Sequence, residues 1–145
     1  MSSAGDQLVA GRIPGERINT AIRTAGSASV TTTETIIDTV TAALVSGRTY
    51  RITWDFAFTI SVATDQHFAR IREDNTTGTQ LQGFRIAPGA TASSYPCHKE
   101  AEYTAVSTGN KTFVGTFVRT SGTGNVSSLG AATNPQYLYV DYIRS

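Results

Sequence analysis

At 145 residues with a formal net charge of +1, the chain has the length of one domain and lacks the basic excess that nucleic-acid binding requires. Charged residues make up only 16%, Ser and Thr supply about a quarter, and a single cysteine, Cys97, rules out an internal disulfide framework. No apolar run reaches the length of a spanning helix, so membrane insertion is not expected either.

Residues 1–27 read as an arm. Residues 1–10 have neither the basic region nor the apolar core of a secretory signal, and Gly11-Arg12-Ile13-Pro14-Gly15 follows. From Glu16 onward, Ile18, Ala21, Ile22 and Ala25 fall at helical spacing, with Pro14 upstream and Gly26 as a stop, which predicts a short helix. Val9, Arg12, Ile13, Arg17, Ile18 and Ile22 are its candidate contacts with another protein chain. The alternative is that Ile18 and Ile22 cover an open end of the domain.

Residues 28–145 read as β throughout. Residues 30–34 and 36–44 are Thr- and Val-rich strands, and Ser46-Gly47 turns into the next. Residues 49–63 alternate without a break: Tyr50, Ile52, Trp54, Phe56, Phe58, Ile60 and Val62 form one apolar face. The intervening positions are mostly polar, among them Arg51, Thr53, Asp55 and Thr59. A period of two places these sets on opposite faces of a long strand, one inward and one towards water or a partner. Residues 67–73 and 79–86 make a hairpin around Asp74-Asn75-Thr76-Thr77-Gly78, and residues 101–106, 111–119 and 137–143 are further strands. Gly109-Asn110 reads as a tight turn and residues 120–134 as a loop. The pattern predicts an all-β fold, an antiparallel β-sandwich of jelly-roll type with a short N-terminal arm or helix.

Chemistry is sparse. Cys97 and His98 are adjacent and His67 stands alone, so no zinc-ligand spacing exists and no metal or cofactor is expected. Asp55 sits on the polar face of the long strand, where pairing with Arg70, Arg72 or Arg119 across strands is expected rather than a glycosidase acid pair. Gly122-Thr123-Gly124 lacks the lysine of a phosphate loop, and no nucleophile elbow is present. No catalytic residues are expected, and the reading is non-enzymatic. The last strand is apolar on both faces, so Tyr137, Tyr139 and Ile143 need a cover: a second subunit or, as the alternative, the arm.

The strings from Ala10 to Ile18, from Ala42 to Tyr50, from Ala69 to Leu81 and from Tyr137 to Ile143, in this order, resemble small virion proteins of tailed bacteriophages, particularly those infecting actinobacteria. The resemblance implies a head decoration or minor tail protein with a tumour necrosis factor-like jelly roll that commonly forms a homotrimer. It also implies a virion location after assembly in the host cytoplasm, and it carries no active-site residues. The resulting expectation is a capsid decoration (cement) protein. Its arm grips the major capsid protein or tail proteins, and Tyr137, Tyr139 and Ile143 join the subunits. A tail protein binding host-surface glycans is the alternative.

Overall fold

A computed structural model describes residues 13–87, 89, 91 and 94–145. Two sheets face each other. The first runs β1 (Arg17–Arg23), β9 (Gln136–Arg144), β3 (Thr49–Ile60) and β6 (Tyr95–Thr104), with the short β8 (Val126–Ser128) also paired to β3. The second runs β2 (Thr35–Leu44), β7 (Gly109–Ser121), β4 (Gln66–Glu73) and β5 (Gln80–Ile86). All pairings are antiparallel. Setting the three-residue β8 aside, the order β1-β9-β3-β6 over β2-β7-β4-β5 is that of a jelly roll.

The alternation of β3 fills the core. Tyr50, Ile52, Trp54, Phe56, Phe58 and Ile60 are buried against Phe113 and Phe117 of β7 and Leu138 and Val140 of β9. Trp54 stacks on Phe56 with centroids 4.0 Å apart and tilts against Phe117 at 5.4 Å. Gly115 of β7 makes that position available, because a Cβ there would come within 2.5 Å of the indole ring. The strand ends at Ile60, and Val62 beyond it is 37% exposed. Its other face is not uniformly wet, since Thr53 and Ala57 are buried as well.

The helix expected from Glu16 is not formed; the segment is β1, the edge strand beside β9. Without it the outer backbone groups of β9 would lack partners, and that tertiary demand overrides a marginal helical spacing rich in β-branched residues. Side chains then lock β1 in place. Arg23 Nε donates to Asp38 Oδ1 at 2.7 Å, and Trp54 Nε1 donates to Asp38 Oδ2 at 2.8 Å, so one carboxylate of β2 joins the edge strand to the core tryptophan.

Other boundaries shift. Residues 30–34 form no strand: Val30 makes a single bridge to Val126, and the ladder begins at Thr35. The first residue of the presumed Gly109-Asn110 turn instead opens β7, with φ at 144°. The presumed loop 120–134 contains β8, whose Val126 is fully buried. Further, β6 begins at Tyr95 rather than at residue 101.

Candidate functional site

Register arranges the outer face of the first sheet in rows. Ile22, Tyr137, Asp55 and His98 stand abreast on β1, β9, β3 and β6. The next row is Thr20, Tyr139, Thr53 and Glu100, and the one after it Arg17, Asp141, Arg51 and Glu102. The rows follow from the two-residue period of β3, β6 and β9, and on β1 a bulge between Arg17 and Asn19 brings Arg17 into the third row.

The rows are linked by charge. Asp55 engages not an arginine but His98: Asp55 Oδ1 meets His98 Nδ1, and His98 Nε2 meets Glu100 Oε1 at 3.3 Å. The hydrogen bond with Asp55 raises the His98 pKa above its ordinary value; partial burial opposes this, and Glu100 reinforces it. Arg51 reaches Glu100 at 3.7 Å, and Arg144 pairs with Glu102 at 2.7 Å. Arg17 donates from Nε to Asp141 at 2.5 Å and lays its guanidinium 3.6 Å from the centre of the Tyr139 ring. Asp55 did not find Arg70 or Arg72 because those lie on the second sheet. There Glu34 takes both: Arg70 Nη1 donates to Oε2 at 2.6 Å and Arg72 Nε to Oε1 at 2.7 Å. Arg72 Nη2 also donates to Oε2 at 3.2 Å, and Thr116 Oγ1 donates to Oε1 at 2.6 Å. Burial pushes Glu34 up, but the bonds from Arg72 and Thr116 and the charge of Arg70 outweigh it and hold the carboxyl below its usual range.

An open groove of about 520 Å³ lies at one end of the first sheet, over the row of Tyr137, Asp55 and His98. Pro96 of β6 and Asn134-Pro135, which lead into β9, line it too. Gln136 also lines it: its Nε2 donates to the Ala57 carbonyl at 2.6 Å, and its buried Oε1 has no partner among the described residues. Cys97 is beside His98, and burial pushes its thiol up, away from the thiolate a nucleophile needs. Among the described residues no group of His, Cys, Asp and Glu is placed to hold a metal ion.

No family model matches the chain, and no curated protein matches it in sequence. Solved structures give distant likenesses. A family 6 carbohydrate-binding module, studied for its binding sub-sites, is 16% identical over 86% of this chain and 94% of that one, with a TM-score of 0.40. A structure of infectious bursal disease virus, Gx strain, is 15% identical over 89% of this chain, with a TM-score of 0.42. A CBM4 structure is 14% identical over 72% of this chain, with a TM-score of 0.36. The chain spans 59% of the CBM4 chain and 37% of the viral one.

The candidate contacts of the arm separate. Val9 and Arg12 lie outside the described residues. Ile13 and Ile22 are exposed, at 49% and 60%, while Ile18, at a bulge in β1, packs against the core. Arg17 is turned to Asp141 and Tyr139 on its own sheet. Tyr137, Tyr139 and Ile143 share the outer face of β9 and are each half-buried. Among the described residues, the arm reaches this face through Arg17 over Tyr139, and β1 lies beside β9 and not across it. The charges around these tyrosines are denser than a subunit interface core carries. Sequence reasoning missed His98 beside Tyr137, because only the register of β6, β3 and β9 brings them into one row. The one available signal was the placement of Asp55 on the polar face of the longest alternation.

Proposed function

We propose that this chain is a non-enzymatic structural protein of a virion, a decoration protein that holds to a capsid through its N-terminal edge. The observation that carries the reading is the edge strand itself. It is fastened to the core through Arg23, Asp38 and Trp54, yet presents Ile22 outward, and Ile13 just before it is exposed as well. A rigidly held edge with exposed isoleucines suits attachment, and repetition over a lattice makes many weak contacts sufficient.

The test mixes the purified protein with expanded heads that lack it, followed by co-sedimentation. The intact chain is expected to pellet with heads, and Ile22→Asp to lose most of that binding while keeping its fold. Binding to host cells but not to heads would replace this reading with that of a tail protein.

A further inference from the structure

We propose that the groove over Tyr137, Asp55 and His98 is a binding site for a neutral saccharide. The inference rests on the groove alone and stands whether or not the chain decorates a capsid.

Four observations converge. The volume of about 520 Å³ lies within the range of roughly 300–1,000 Å³ typical of small-ligand sites, and the groove is open, so a ligand longer than the site can run out of it. Tyr137 supplies a half-buried ring, and a ring face accepts the apolar C–H face of a pyranose. The polar groups are rich in acceptors. Asp55 Oδ1 engages His98, and Oδ2 has no hydrogen bond among the described residues. Asn134, with both a donor and an acceptor, stands at the rim.

Acceptor surplus beside an aromatic platform calls for a ligand with several hydroxyl donors and one apolar face, which is the chemistry of a sugar. Charge narrows the class. Asp55 and Glu100 both face His98, and Arg51 reaches Glu100, so the four side chains carry one net negative charge with a neutral imidazole and none with a protonated one. A uronic or sialic acid brought into the groove finds both cations already paired with carboxylates and gains no free positive partner. The side chains of Asp55 and His98 are 37% and 55% exposed, so a ligand can reach both.

The experiment places the full chain on an array of neutral and acidic oligosaccharides and follows the best neutral binder by two-dimensional amide NMR. The expected result is binding of neutral glycans, at least ten-fold weaker binding of acidic counterparts, and shifts confined to Asp55, Pro96–His98 neighbours and residues 134–137. Tyr137→Ala and Asp55→Asn are each expected to weaken binding at least ten-fold, and Glu34→Gln to leave it unchanged. If Tyr137→Ala does not fold, the shift map on the intact chain and the exposed Asp55→Asn variant still decide. Absence of any neutral binder overturns the inference. So do shifts at the Glu34 cluster instead, or an oligomer in solution that buries Tyr137.

Discussion

The two outer faces of this sandwich use similar residues to different ends. On the second sheet, Glu34 receives Arg70, Arg72 and Thr116. These charges are enclosed by one another. On the first sheet the links lie at the surface and end at a groove where Asp55 engages His98 through Oδ1 alone among the described residues. Enclosed ion pairs fix geometry; open ones leave groups available to a ligand.

The largest perturbation strikes what both faces share. Trp54→Ala empties the layer between the sheets and frees Asp38, and should cost about 3–5 kcal/mol in urea unfolding, with both faces lost together. Next is Glu34→Gln, which leaves two half-buried guanidinium groups underpaired. About 2 kcal/mol is expected, less than for a fully buried pair because all three side chains keep some solvent contact. Asp55→Asn, on the exposed row, should cost less than about 1 kcal/mol, so that a larger loss in unfolding experiments would erase the contrast between the faces.

The smallest effect is carried by the two histidines, and NMR titration of their ring protons reads it. His98, raised by Asp55, should titrate above 6.5; its contribution to stability is full below pH 6.5 and fades as pH rises through the folded-state value. His67 behaves in the opposite sense. It is fully buried, with neither ring nitrogen hydrogen-bonded among the described residues. Burial lowers its pKa, the Asp65 charge opposes the shift, and Arg119 adds to it. Stability linked to His67 is therefore full above pH 6.5 and declines as pH falls towards the folded-state value. Equal titration of both rings near 6.5 would contradict the two environments.

The long alternation from Thr49 was legible because period two is a local property, and it placed Trp54, Phe56 and Phe58 in the core correctly. The hairpin of β4 and β5 was legible for the same reason, with Asp74 at φ 60° in its turn. What depended on distant partners was not. β1 is a strand because β9 has an edge to pair, and β8 because β3 has one beyond the end of β9. The partner of Asp55 depended on which strand lay beside β3: His98 of β6, 43 residues away in sequence, took the place expected for an arginine.

Amide hydrogen exchange of the protein, free and bound to expanded heads, tests the central claim that this chain works by attachment through its N-terminal edge. The account predicts new protection along β1, around Arg17–Arg23, with the β4–β5 hairpin unchanged. Protection confined to that hairpin, or none anywhere at saturating heads, would contradict it.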